Sequence, residues 1–531
     1  MNQEKTMARA ILSLGIELGS TRIKSVLIDE HQEVVASGVF QWENQLDNGV
    51  WTYGVDLIWE GLQASYAQLR GDYEKQTGKT LDKIDYIGIS AMMHGYLAFD
   101  KTEDLLVPFR TWRNAMTAAA EKELTKLFEF NIPQRWSIAH LYQSLLNHEP
   151  HTKNIDFFTT LAGYVHWKLT GEKVLGIGDA SGMFPIDPAT KDYHPGMLQK
   201  FEEHIAPYAN PWEIKTILPT VLSAGEQAGT LTKAGAKLLD PTGELKHGSC
   251  FCPPEGDAGT GMVATNSIRP RTGNISAGTS VFAMIVLDHP LSRVYPQIDQ
   301  VTTPVGDQVA MVHANNCSSD LNAWVGIFKD FLNASGIEMS QDRLFEILFQ
   351  AADKGEADVG GLLSYGYLSG ENITQMPKGR PLLVRTPESN FNLNNLMRTH
   401  LYSAFGALHL GMKILTEKES VSIDKIFGHG GMFKTAGVAQ KILAAAINTP
   451  VSIMETAGEG GAWGIALLAD YLNHSDQLSL EDYLEKIVFR QSHAVEYSPA
   501  KEEVAGYDQF GKRYEAGLEI ERAAIQNLGG I

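Results

Sequence analysis

Apolar positions recur along this chain with two periods, that of a strand and that of a helix, and their succession predicts alternating elements. Residues 11–18, 23–29 and 34–40 alternate or run apolar with turn residues between them, the pattern of a three-stranded meander. Val55, Ile58, Leu62, Tyr66 and Leu69 fall at helical spacing, predicting a helix over 55–70, and Ile84 to Ile89 forms a short buried strand. A second strand-like piece, Leu105 to Phe109, precedes residues 115–170, which are largely helical in pattern and stop at Gly171. Segment 176–245 is richer in Gly, Pro and polar residues and shows little periodicity. The pattern then restarts. A hairpin is expected at 273–287, a strand near 309–314, and a helix over 319–334 with Trp324, Phe328 and Phe331 facing a core. A strand and loop at 362–368, a long amphipathic helix at 392–416, a strand at 423–427, a helix at 434–447 and a strand at 451–454 follow. Another helix comes after 464, and the charged, helical stretch 475–531 closes the chain. The periodicity divides the protein into two α/β halves near 265–270.

Each half opens on the same phrase. Ile16-Glu17-Leu18-Gly19-Ser20-Thr21 lies on Ile275-Ser276-Ala277-Gly278-Thr279-Ser280, matching at the Ile, the Gly and both hydroxyl residues. An apolar run follows each turn, so each predicts a β-hairpin. Gly-rich turns after apolar strands, at 19–21, 278–280, 428–431 and 458–461, let backbone N–H groups close on an anion. Asp257 stands between Gly256 and Ala258-Gly259, where small residues allow a ligand to approach the backbone. Glu17 and Asp257 are the acidic side chains placed to hold Mg²⁺ through water, as this hard ion prefers. The Gly-x-x-x-x-Gly-Lys-Ser/Thr phosphate loop and the Gly-x-Gly-x-x-Gly dinucleotide turn are both missing.

Composition narrows the partners. At 531 residues the chain should hold two to four domains of roughly 100–200 residues. Apolar residues make up 44% and charged residues 20%, the balance of a globular protein. With 63 acidic against 44 basic side chains the formal charge is −19, which argues against a nucleic-acid partner. No run approaches the ~18 apolar residues of a membrane helix, and Met-Asn-Gln-Glu-Lys lacks the layout of a signal peptide. Cys250, Cys252 and Cys317 fit neither a disulfide framework nor a zinc site. A cytoplasmic enzyme of small molecules is the expectation, with a homodimer the commonest soluble assembly and the oligomeric state left open.

The order of these pieces resembles the FGGY carbohydrate kinases, within the actin, sugar-kinase and Hsp70-like ATPase superfamily, from about Ile11 to Ala469. Glu17-Leu18-Gly19-Ser20-Thr21-Arg22-Ile23-Lys24 is similar to the family's first phosphate motif, Asp-x-Gly-Thr/Ser-x-x-x-Lys/Arg, with Glu in place of the Asp. Met92-Met93-His94-Gly95 resembles its sugar-site Gln-Met-His-Gly. Lys168 to Gly171, Asp179-Ala180-Ser181-Gly182 and Gly256-Asp257 match further motifs, and Ser276 to Ser280 resembles the second phosphate motif. Gly430-Gly431-Met432-Phe433-Lys434-Thr435 is similar to the adenosine motif Gly-Gly-Gly-Ala-x-Ser, altered at Met432 and Phe433, and Glu459 to Gly464 resembles a later pattern. Trp112-Arg113-Asn114 stands nearer the Trp-Lys-Asn of ribulose kinases than the Trp-Asn-Asp of xylulose kinases.

The resemblance implies two ribonuclease H-like (actin-like ATPase) α/β domains with a catalytic cleft between them. They would be a sugar-side domain over 11–265 and a nucleotide-side domain over 266–475, with a helical extension over 476–531. It implies transfer of the γ-phosphate of ATP to a hydroxyl of a sugar or polyol, with Asp257 as general base and Mg²⁺ held by Glu17 and Asp257. Met93, His94, Gly95, Trp112, Asn114 and Asp257 would meet the substrate. Gly19, Ser20, Thr21, Lys24, Gly278, Thr279, Ser280, Gly430, Gly431 and Lys434 would meet ATP. A ketopentose such as ribulose or xylulose is the expected substrate, while deoxy-sugar ketoses and polyols also fit the family. Two other readings use the same residues, a non-sugar ATPase and a sugar-binding regulator that has lost catalysis.

Overall fold

In the computed structural model, which describes residues 10–454, 460–492 and 494–528, strand β1 (Ser13–Leu18) is the middle of a mixed sheet. It pairs antiparallel with β2 (Arg22–Ile28), which pairs with β3 (Val34–Gln41), and parallel with β4 (Tyr86–Ala91). Two short pieces, β5 (Cys250–Phe251) and β6 (Glu255–Gly256), continue the sheet beyond β4 in parallel register. The expected meander is present within a residue or two of its predicted ends.

Glycines let helices close on both faces of this sheet. A Cβ on Gly38 of β3 would lie 2.0 Å from the Ser65 carbonyl oxygen of helix α1 (Val55–Thr77), so that helix touches bare strand backbone. On the opposite face, a Cβ on Gly15 would meet the Ala462 carbonyl at 2.1 Å, and one on its cross-strand neighbour Gly88 would meet Ile465 at 2.7 Å. The helix lying there is Gly460–Tyr471, buried from Gly461 to Tyr471 on every side. It packs in the first unit, which comprises residues up to 268, 300–308 and 459–491, and its almost wholly apolar surface explains the burial.

The second unit comprises residues 269–299, 309–458 and 492–531. Its seven-stranded sheet runs β9–β10–β8–β7–β11–β12–β13, where β7 is Thr272–Ala277, β8 Val281–Val286, β9 Ile298–Thr302, β10 Gln308–Ala314, β11 Lys425–His429, β12 Val451–Met454 and β13 Ala494–Tyr497. Strand β7 pairs antiparallel with β8 and parallel with β11, as β1 does with β2 and β4. The echo in the sequence is therefore an echo in topology. The second hairpin is one residue tighter, pairing Ala277 with Val281 where the first pairs Leu18 with Ile23. Each unit has its own apolar core.

Four expectations change. Leu105 to Phe109 makes only isolated bridges, Phe99 to Leu105 and Tyr96 to Arg110, since Pro108 removes a ladder donor. Helix Ser318–Ala334 buries Leu321 and Val325, while Phe331 is 68% exposed rather than in the core. The helix expected over 392–416 breaks at Phe405 into Leu393–Ala404 and Gly406–Lys413. The tail contributes strand β13 to the sheet before its helices Lys501–Ala516 and Leu518–Asn527. Among the described residues no helix is long and apolar enough to cross a membrane.

Candidate active site

The parallel pairing of β6 with the end of β4 delivers Asp257 to the residues that follow β4. Asp257 is the first residue of helix α2 (Asp257–Ala264), and its Oδ1 accepts the Met93 N–H at 3.1 Å. Only glycine fits before it, because a Cβ on Gly256 would stand 2.2 Å from Met93 Cγ. Protein surrounds most of the carboxyl and burial raises its pKa, opposed by the N–H groups of Met93 and Ala258. One edge of the residue is exposed, and solvent there moderates the rise. A reacting group has access to that edge.

Glu17 answers the question its extra methylene poses. Its carboxylate reaches the N-terminal turn of helix Gly460–Tyr471, where the Ala462 N–H supports it and a Cβ on Gly461 would collide with Oε1 at 2.4 Å. Burial first, then repulsion from Asp257, raises its pKa to about 7, against the opposing charges of Arg22 and Lys24. Lys24 sits directly across the hairpin from it. Behind Asp257 lie two carboxyls to which the sequence assigned no role. Asp179 takes a 2.6 Å hydrogen bond from Thr160 on Oδ2, while its buried Oδ1 has no hydrogen-bond partner among the described residues. Glu255 accepts the N–H groups of Gly178 and Asp179 at 3.2 and 2.9 Å, and Gly176 and Gly178 leave room for it. Burial pushes Asp179 up to about 7 and Glu255 to about 8.

This carboxyl group has a consequence for stability. Glu17, Asp179 and Glu255 hold protons in the folded state that the unfolded chain has lost above the ordinary carboxyl range of about 4, so their contribution to stability falls as pH rises from there and is gone above about 7 to 8. His94, His140, His151 and His166 are held neutral by burial, at about 3 to 4, so stability also falls as pH drops below the ordinary imidazole value of about 6.5. Thermal midpoints are expected to peak near neutrality. A midpoint still climbing between pH 7 and 8.5 would contradict the carboxyl assignment.

His94 and Gly95 turn the chain with φ of 68° and 94°. Gly95 is required, since a Cβ would meet Phe109 at 2.8 Å and the Arg110 carbonyl at 2.9 Å. The His94 Nδ1 lies 3.1 Å from the Gly182 carbonyl, which fixes the proton on Nδ1 and leaves Nε2 as an acceptor; the ring stacks on Trp136. Burial drives its pKa down to about 3. The backbone bridge from Tyr96 to Arg110 ties this turn to the loop carrying Trp112. Asn114 is tied to its own loop. Its Oδ1 accepts the Trp51 N–H and its Nδ2 donates to the carbonyls of Trp51 and Thr111, so both amide hydrogens are committed to holding the loop.

Each Gly-hydroxyl turn is braced by its carbonyls. Trp42 Nε1 donates to the Gly19 carbonyl at 2.7 Å, the Tyr53 hydroxyl to that of Ser20 at 2.6 Å, and the Trp42 N–H to that of Thr21. In the second unit the N–H groups of Cys317 and Ser318 donate to the carbonyls of Thr279 and Gly278. Gly430, at φ 110°, abuts the β7 backbone; a Cβ there would lie 2.4 Å from the Ala277 carbonyl, so the 430–431 turn adjoins the 278–280 turn. Lys434 is exposed, whereas Met432 and Phe433, the residues that alter the adenosine motif, turn into the core. Gly458 and Glu459 lie outside the described residues.

Residues 12–242 match the N-terminal domain of the FGGY family of carbohydrate kinases, and residues 273–472 match its C-terminal domain. The chain belongs to that family. This FGGY kinase is similar to the xylulose kinase of Haemophilus influenzae, 23% identical over 527 residues that cover 94% of this chain and 98% of the other. A ligand-bound xylulose kinase from Lactobacillus acidophilus superposes with a TM-score of 0.79 at 18% identity, covering 98% of this chain and 99% of that one. A gluconate kinase from the same organism reaches 0.77 at 17% identity, with coverage of 98% and 99%. The fold is the two-domain α/β fold of actin-like ATPases. As a family member the FGGY kinase is a phosphotransferase that uses ATP on a hydroxyl of a small sugar. Glu255 is the residue the sequence left unread in this kinase, with the Glu-Gly-Asp order of 255–257 its one visible hint, whereas Asp179 stood in a matched motif without a role of its own.

Proposed function

We propose that this kinase phosphorylates a ketopentose, ribulose or xylulose, with Asp257 as the general base. The observation that carries the reading is the Asp257 carboxylate, fixed by the N–H of Met93, the residue just before the His94 turn, and open along one edge. Asp257 accepts the proton of the sugar hydroxyl as that oxygen attacks the γ-phosphorus. A base within hydrogen-bond reach contributes on the order of 10²–10⁴-fold. Met93, His94 Nε2 and Gly95 line the sugar, and Trp112 offers it a half-open indole face. Gly19, Ser20, Thr21 and Lys24 receive phosphate oxygens in the first unit. Gly278, Thr279, Ser280, Gly430, Gly431 and Lys434 hold the nucleotide in the second.

Mg²⁺ fits this donor set. Among the described residues no group of three or more acidic, His or Cys side chains would cage a metal, and Mg²⁺ is usually held by one or two carboxylates with phosphates and water. Glu17 and Asp257, close enough for their charges to interact, are that pair. Bound there, the ion would neutralise charge on the transferring phosphoryl group.

The test is coupled ADP release with Mg²⁺-ATP across ketoses, aldoses and polyols. A ketopentose is expected to give the highest kcat/KM. A polyol or aldose turning over faster would refute the substrate assignment, and ADP release indifferent to every sugar would favour an ATPase.

A further inference from the structure

Ser20 is held from two directions. The Tyr53 hydroxyl takes its carbonyl, and the Trp112 indole Nε1 lies 3.3 Å from its Oγ. An indole N–H can only donate, so Ser20 Oγ accepts, and the one hydroxyl hydrogen of Ser20 is left to point elsewhere. Without the indole, that hydrogen is free to rotate and the oxygen is free to present a lone pair to an anion. Trp112 is 37% exposed, so one part of its ring meets solvent while the N–H is engaged with the turn. The loop that carries it is rigid: Asn114 clamps Trp51, the Thr111 N–H and hydroxyl bond the Trp51 carbonyl, and the Arg113 guanidinium stacks 4.1 Å over the Trp51 ring. The same loop bridges to the His94–Gly95 turn through Tyr96 and Arg110.

We propose that Trp112 is a positioning residue that couples sugar occupancy to the phosphate turn. Its N–H sets the Ser20 hydroxyl as a donor toward phosphate, and a sugar resting on the exposed ring sets the N–H. A contact of 3.3 Å is at the outer limit of a hydrogen bond, so a small displacement of the ring decides whether it is made. This rests on the reading of Ser20 as a phosphate donor and of the first unit as the sugar side. Sugar-free ADP release then stays low because, without sugar, the donor is poorly set.

The test is Trp112→Phe, which keeps an aromatic face and loses the donor, measured for kcat, sugar KM and the ratio of ADP release with and without sugar. The expected result is a fall of about fivefold in kcat, the worth of one neutral hydrogen bond, a matching fall in that ratio, and a sugar KM within twofold. In a Ser20→Ala background, Trp112→Phe is expected to add nothing further, because the two residues act as one pair. Additive losses, a change confined to sugar KM, or an unchanged ratio would each overturn the coupling. A parent enzyme whose ADP release no sugar stimulates would instead overturn the kinase reading on which the coupling rests.

Discussion

Replacing Asp257 by Asn is expected to lower sugar-dependent ADP release by about 10²–10⁴-fold, with sugar and nucleotide binding retained. The amide is nearly the same size, and its oxygen can still accept the Met93 N–H that orients the carboxylate. What it cannot do is take up a proton. The loss should therefore fall on kcat rather than on the sugar dissociation constant, and the two are separable by single-turnover rates and calorimetric titration. The substitution also removes a negative charge whose repulsion helps raise the Glu17 pKa, so Glu17 should titrate lower in the variant. A loss smaller than tenfold, or one seen only in sugar binding, would remove Asp257 from the role of base.

The second large effect is on stability. Gly15→Ala is expected to cost about 3 kcal/mol, at the upper end of what overpacking usually costs. The added methyl would lie 2.1 Å from the Ala462 carbonyl and 2.6 Å from the Ala466 nitrogen, both backbone atoms of the helix on β1. Neither can move unless the helix does, and the helix is wedged on its other side by Thr260, whose carbonyl approaches Gly464 as closely. Gly54→Ala is the control, at an ordinary φ of −63° with open space around it, and should fall within about 0.5 kcal/mol of the parent. Urea unfolding of the three proteins decides the matter. A Gly15→Ala protein as stable as the control would mean the helix is not seated as described.

Much of the fold was legible because strand periodicity and Gly-hydroxyl turns are local signals. The two hairpins could be found, and even aligned on each other, from residues adjacent in sequence. Asp257 stood out in the sequence for a related reason, since small neighbours on both sides leave its carboxylate open to approach. Asn114 marks a limit of motif reading, since a motif names an amide without saying where its hydrogens point, and here both go to Trp51 and Thr111. Phe331 was misjudged because helical spacing fixes a stripe but not which stripe faces inward. Glu255 and Asp179 pair across 76 residues of sequence, a distance over which no periodicity carries information. Helix Gly460–Tyr471 lacks a polar face altogether, so its sequence promised burial and withheld the partner.

The seating of that helix bears on how the protein is made. Its groove on β1 and β4 is built from residues before 92, yet the helix itself leaves the ribosome only after residues 269–458 have been synthesised. At about 5–20 residues per second that interval is on the order of ten seconds or more. Throughout it the nascent first unit carries the bare backbone of Gly15 and Gly88 beside uncovered apolar side chains. A translational pause before residue 472 would lengthen that exposure.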